Sequence, residues 1–221
     1  MAAWDATGGQ SGSVSINQFQ YAVGVATSSA NLPADGASTS TVTATITNPN
    51  TGAPIAGDTV TFTPSGAACS STGAVGPVST NASGQASMTY TAGTSVGSCT
   101  ITAAEASTVH AASTTINQFQ YAVAVVANPA SILANGTSTS LVTVTVTNPI
   151  TLQPVSGNAV TLALTGAACS GKPLSPAGPY TTNAAGQVAV TYTSGTVAGS
   201  CTATATESKT RKSGSATITQ T

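Results

Sequence analysis

Five carboxylates, one imidazole and four thiols make up most of what this 221-residue chain could use for acid, base, nucleophile or metal chemistry. Hydrolysis needs a pair of carboxylates, or a nucleophile beside a base. The acids are Asp5, Asp35, Asp58, Glu105 and Glu207, and two of them, Asp35 and Asp58, become Asn135 and Asn158 in a second copy of the same pattern. An acid pair held in one copy and dropped in the other, with no insertion to shape a pocket, does not describe an active site. No catalytic residue is expected. Glu105 and Glu207 do recur, each after a cysteine, and read as turn or edge carboxylates satisfied by hydrogen bonds. Calcium takes about 6–8 oxygen ligands, several of them carboxylates, which neither copy can supply. Zinc is disfavoured too, since the cysteines are not spaced as CxxC and His110 is the sole histidine. Neither a metal nor a cofactor is expected.

The cysteines fall two per copy, Cys69 with Cys99 and Cys169 with Cys201, at equivalent places. Of the three connectivities that four cysteines allow, only this pairing respects the repeat. One intradomain disulfide per copy in an oxidising compartment is the expectation, and four buried thiols in a reducing one the alternative. Closing loops of this length would stabilise each copy by about 3–4 kcal/mol on the chain-entropy account.

These residues sit on a tandem repeat. The string INQFQYAV occurs at Ile16 to Val23 and again at Ile116 to Val123. Ala34-Asp35-Gly36 aligns with Ala134-Asn135-Gly136, and Gly66 to Cys69 with Gly166 to Cys169, at a constant offset of 100 residues. Two residues are inserted after Cys169, and Gly84-Gln85 then aligns with Gly186-Gln187 at an offset of 102. An insertion confined to one stretch marks a surface loop. Each copy, at about 100 residues, is long enough to bury its own core.

Charged residues are 4% of the chain against about 25% in an average soluble protein, so hydroxyls must keep the surface wet. A net charge of -1 gives no basic footprint for nucleic acid and no attraction to an anionic membrane surface. No stretch approaches the roughly 20 apolar residues needed to span a bilayer. The beginning, Met1 to Asp5, lacks the basic and apolar regions of a secretory signal, so residues 1–11 read as a start produced by trimming, with any export signal lying elsewhere.

The elements are strands. Thr41 to Thr47 and Val142 to Thr147 alternate apolar residues with hydroxyls at period two, the pattern of a half-buried antiparallel strand. Phe19 to Ala26, Thr59 to Thr63, Gln85 to Thr91, Ser98 to Ala104 and Ser113 to Gln118 read the same way, separated by turn signals such as Asp35-Gly36 and Ser83-Gly84. Seven or so short strands per copy predict an all-β chain of tandem immunoglobulin-like antiparallel sandwiches arranged as a rod. The expected division is an extension over residues 1–18, then repeats over 19–118 and 119–221. Gly12 to Gln18 matches the last strand of each repeat, so it is either the tail of a preceding repeat or a strand that Val14 and Ile16 dock into a neighbouring copy to build a filament. At the junction no Gly, Pro or Ser spacer interrupts Ile116 to Tyr121. Phe119 and Tyr121, like Phe19 and Tyr21, are placed either to bury area at a contact between repeats or to serve as ordinary core residues. The threonine ladders suggest one further reading, a flat surface for ice or glycan, against the plain role of Thr as a solvent-facing strand residue.

The run LPADGASTSTVTATITNPNTGAPIAGDTVTFTPSG, followed by STNASGQASMTYTAG and SCTITA, resembles the bacterial immunoglobulin-like repeat of the invasin and intimin adhesins, often called Big-1. The second copy, with ILANGTSTSLVTVTVTNP and TTNAAGQVAVTYTSG, resembles it too, so the likeness covers about 200 residues. Two departures stand out: Asn48-Pro49 and Asn148-Pro149 fill a turn where an acidic residue is usual, and there is no lectin-like tip domain. The resemblance implies a non-enzymatic stalk module at a bacterial cell surface or outside the cell. It would act as a rigid spacer in adhesion, with neighbouring repeats or copies of itself as partners and a host or environmental surface met through a tip that is not here.

Overall fold

The computed structural model describes residues 2–4, 11–13, 19–71, 73–169, 171 and 173–221. Strands β1 (Ala2–Trp4) and β2 (Ser11–Ser13) pair antiparallel as a separate two-stranded sheet. Val14 and Ile16, the expected strand donors, and Lys172 lie outside the described residues.

The first repeat forms β3 (Ala22–Thr27), β4 (Asn31–Pro33), β5 (Thr39–Thr47), β6 (Thr59–Ser65), β7 (Val75–Ser79), β8 (Gln85–Thr91), β9 (Gly97–Glu105) and β10 (Ala111–Phe119). They make one sheet of order β3-β5-β8 and another of order β4-β10-β9-β6-β7. The second repeat forms β11 (Ala122–Asn128), β12 (Ser131–Ile132), β13 (Thr139–Thr147), β14 (Ala159–Thr165), β15 (Tyr180–Thr181), β16 (Gln187–Thr193), β17 (Gly199–Glu207) and β18 (Ser213–Gln220). Its sheets run β11-β13-β16 and β12-β18-β17-β14-β15. The chain is all-β, two immunoglobulin-like sandwiches in tandem.

Period-two patterning decides which face is inside. In β5, Val42, Ala44 and Ile46 are fully buried while the threonines between them face outward, and Val142, Val144 and Val146 of β13 do the same. The outward hydroxyls also bond across strands, as Thr43 does to Ser87 at 2.9 Å. Each core is closed by the facing sheet: Val60, Phe62, Ile101 and Ile116 in the first repeat, Val160, Ala203, Ala205 and Ile218 in the second.

The first strand of each repeat breaks and changes sheets. β3 pairs antiparallel with β5, and β4 then pairs parallel with β10; β11 and β12 repeat this against β13 and β18. Buried serines hold the switch. Ser40 accepts from the Ser29 N–H at 3.0 Å and donates to its carbonyl at 2.9 Å, and Ser140 donates to the Pro129 carbonyl at 2.8 Å. Residues 19–21, expected to open the first strand, lie outside it. Gly84 and Gly186 adopt φ of 71° and 70°, and a Cβ at either would collide with the carbonyl oxygen of Ile46 or Val146.

The insertion after Cys169 is more than a surface loop. It replaces the five-residue β7 by the two-residue β15, and sends Leu174, 9% exposed, into the second core. There Ser175 bridges Thr191 on β16. Part of the reason is space, because Leu162 and Ala203 stand where the first repeat has the larger Phe62 and Ile101.

The four cysteines form two disulfides, Cys69–Cys99 and Cys169–Cys201, with Cys99 and Cys201 fully buried. Each ties a loop to a central strand across 30 and 32 residues of chain. Replacing Cys169 and Cys201 together by serine is expected to lower the stability of the second repeat by about 3–4 kcal/mol in urea unfolding. A loss well under 1 kcal/mol would show that the packing alone holds that loop.

Candidate functional site: the joint between the repeats

The joint is built on a carboxylate. At the end of β17 the alternation turns Glu207 inward, where it is fully buried. A buried ion needs compensation, and the turn that follows supplies it. Glu207 Oε1 accepts from Thr210 N–H at 2.8 Å, from the Thr210 hydroxyl and from Lys212 N–H at 3.1 Å. Oε2 accepts from Lys209 N–H at 2.9 Å and from the Asn158 amide at 3.0 Å. Burial pushes the Glu207 carboxyl up. The hydroxyl, amide and backbone donors outweigh it and hold the group below its ordinary value.

The first repeat builds the same nest. Glu105 accepts from the N–H groups of Ser107, Thr108 and His110 and from the Thr108 hydroxyl at 2.5 Å. Burial raises its carboxyl, the Thr108 hydroxyl and the three backbone donors lower it, and the net value is about 2. Wrapping a turn around one carboxylate strains the backbone. Val109 and Arg211, at equivalent places, both have φ of 59°, a left-handed conformation that costs a side-chain-bearing residue about 1–2 kcal/mol.

The nest then receives the chain that enters its repeat. Thr210 Oγ1, while donating to Glu207, accepts from Tyr121 N–H at 3.1 Å, and the Thr210 carbonyl accepts from the Gln120 amide at 3.2 Å. In the first repeat Thr108 Oγ1 accepts from Tyr21 N–H at 2.9 Å, and the His110 ring bonds the Tyr21 carbonyl at 2.9 Å. Tyr121 is 8% exposed in the second core, and Phe119, though it ends β10 of the first repeat, packs against that same core. Their rings meet edge-on at 5.7 Å, whereas Phe19 and Tyr21 are tilted at 6.1 Å, with Phe19 38% exposed. A polar cleft at the junction is lined by Ala34, Asp35 and Thr94 on one side and by Lys209 and Arg211 on the other. Burial raises the Tyr121 phenol, and the charges of Asp35 and Glu207 add to the effect. Asp35 is itself pushed up by burial, but Ser38 and Ala37 donate to it and bring it below its ordinary value.

At the opposite end of each sandwich, buried Gln118 bonds the Ala68 carbonyl and Gly93 N–H, and Gln220 bonds the Ala168 carbonyl at 2.5 Å and Gly195 N–H at 2.7 Å. These amides clamp the disulfide loop to the β8–β9 or β16–β17 loop. Reading the sequence by residue type missed them, although the recurring Gln two places after an inward Ile in both last strands was a usable signal. Among the described residues no cluster of three or more His, Cys, Asp or Glu is placed to hold a metal.

Thr210→Val keeps the shape of the side chain and removes the hydroxyl that serves both Tyr121 and Glu207. It is expected to destabilise the second repeat by about 1–3 kcal/mol in urea unfolding; an unchanged midpoint would show that the hydroxyl is dispensable. The pH dependence has a definite sign. Glu207 falls from an unfolded value of about 4.3, so its contribution is present above that pH and drains away as pH drops through the folded value. Glu207→Gln is therefore expected to lower stability at neutral pH while flattening the acid limb of the second repeat's unfolding curve. An acid limb that stays as steep as before would refute this.

A family model described as bacterial Ig-like domain (group 1) matches residues 22–118, and one described as invasin, domain 3, matches residues 120–221. Comparison with curated proteins by sequence finds no match. Among solved structures, the Yersinia pseudotuberculosis adhesin InvE is 21% identical with a TM-score of 0.42, over 90% of this chain and 58% of that one. Invasin, described as a bacterial integrin-binding protein, is 22% identical with a TM-score of 0.41, over 90% of this chain and 40% of that one. A C-terminal fragment of intimin, solved with the intimin-binding domain of the translocated intimin receptor, is 15% identical with a TM-score of 0.41, over 91% and 64%. The chain thus spans less than two thirds of each of these proteins. By the two family matches, which follow one another along nearly its whole length, the chain belongs to the bacterial immunoglobulin-like repeat proteins of invasin and intimin type.

Proposed function

We propose that these two repeats are a length of adhesive stalk from a bacterial cell-surface or secreted protein, a spacer that is not an enzyme. The observation that carries the reading is the joint. β10 passes into β11 through Gln120 and Tyr121 alone, and both are bonded to the Thr210 turn. A connection this short, with Phe119 packed into the next core, resists bending in a way a Gly/Ser linker does not. Family membership supports the same use, and so do the disulfides, which suit an oxidising exterior. Among the described residues no helix is long and apolar enough to cross a membrane. The receptor-bound state belongs to the intimin fragment; for this chain, a host or environmental surface would be met by another part of the protein. Strand donation to a neighbour gains no support, because β10 and β18 already fill the last-strand position of each sandwich. A threonine surface for ice or glycan gains none either.

Small-angle scattering tests the spacer. The chain is expected to fit a single extended shape, and a variant with a Gly-Ser linker inserted between Gln120 and Tyr121 to need an ensemble of shapes. If the unaltered chain needs the same broad ensemble, the joint is a flexible tether and the reading fails.

A further inference from the structure

Besides their turn residues, the two glutamate nests differ at the residue just before β6 and β14. In the second repeat Asn158 donates its amide to Glu207 Oε2 at 3.0 Å. In the first repeat that position is Asp58, 7% exposed, which has no amide to give; its Oδ2 is buried with no hydrogen-bond partner, as is Asn158 Oδ1 in the second repeat. Asp58 Oδ1 is well supplied, accepting from Thr59 N–H at 2.8 Å and from the Ser107 hydroxyl at 2.6 Å. Ser107 also donates its N–H to Glu105 Oε2, so one residue links the two carboxyl groups.

Two buried carboxyl groups bonded to the same serine need something positive between them. No Lys or Arg occurs anywhere in residues 1–171. The other titratable groups packed here are His110 and Tyr21. His110 offers Glu105 its backbone N–H and turns its ring to the Tyr21 carbonyl, and Tyr21 meets the nest through its backbone. A metal ion does not suit Glu105, whose oxygens are already met by backbone and hydroxyl donors. A proton does.

We infer that Asp58 and Glu105 hold one proton between them, Asp58 Oδ2–H donating to Glu105 where the second repeat uses the amide of Asn158. The first repeat thereby carries a nest that loosens as pH rises, a response that the second lacks. Ionising the pair leaves two charges facing each other under the Ser107–His110 turn, which grips the chain at Tyr21. The sign follows from linkage. The folded pair keeps a proton that an unfolded aspartate releases near about pH 3.9, so the stabilisation is complete below that pH and is lost as pH rises through the pair's folded value. It runs opposite to the acid-side loss expected at Glu207.

Asp58→Asn and, conversely, Asn158→Asp in the intact chain test this, with amide hydrogen exchange read separately on Ser107–His110 and Lys209–Lys212. After correction for intrinsic rates, protection of the first turn is expected to fall about tenfold or more as pH rises from about 3.9 towards neutrality. Asp58→Asn is expected to abolish that fall, and Asn158→Asp to create one at the second turn. Carboxyl carbon NMR provides a readout that a merely structural role would not move: one carboxyl resonance of the pair should titrate in the same window and vanish with Asp58→Asn. Identical exchange profiles in the unaltered chain and Asp58→Asn, or no such titration, would overturn the proposal. Because Asn already occupies this position in the second nest, Asp58→Asn is compatible with the fold even if Asn158→Asp is not.

Discussion

A buried carboxylate needs a partner, and in a chain with four cations among 221 residues the partner has to be the backbone. Glu105 and Glu207 meet that constraint by drawing the N–H groups of the following turn around one side chain, the geometry of an anion-binding nest. The conformation of the turn follows. Residues 109 and 211 go left-handed although one is Val and the other Arg, because only then do the flanking N–H groups converge. The strain of about 1–2 kcal/mol is offset by several charge-assisted hydrogen bonds.

From the turn comes the joint. The threonine that tightens each nest has a second use for its hydroxyl, accepting the N–H of the tyrosine on which the chain enters. Ion compensation inside a sandwich and attachment of the segment before it are thus carried by the same atoms. A change to the buried ion reaches the connection without any long pathway, since a single hydroxyl separates Glu207 from Tyr121. The first repeat carries this arrangement at its own start, where Tyr21 stands in the place of Tyr121.

Much of the sandwich was legible in the sequence because it rests on local rules. Period-two runs found the long strands, the Gly turns marked their ends, and the internal duplication showed which cysteines were equivalent. The short strands β4, β7, β12 and β15 escaped, since two to five residues carry too little periodicity and their pairing is chosen by a distant partner. The recurring glutamates were recognisable as satisfied turn carboxylates, but their link to the junction was not. Asn158 and Glu207 are 49 residues apart, and only the β14–β17 pairing brings them together. Leu174 gave no sign of its destination, because an inserted residue has no counterpart to align with.

What the amino-acid order settled alone is the set of features that depend on steric limits and residue spacing: strands, turns, the repeat, and equivalent cysteines. Tertiary structure alone decided which polar groups would be buried, and what each would meet there. Asp58 and Asn158 are aligned neighbours in type and place, one hydrogen-bonding group apart. Only in the folded nest does that difference decide whether the side chain has an amide hydrogen to give the glutamate, as Asn158 gives Glu207, because the strength of a polar contact is set by the surroundings that remove water from it.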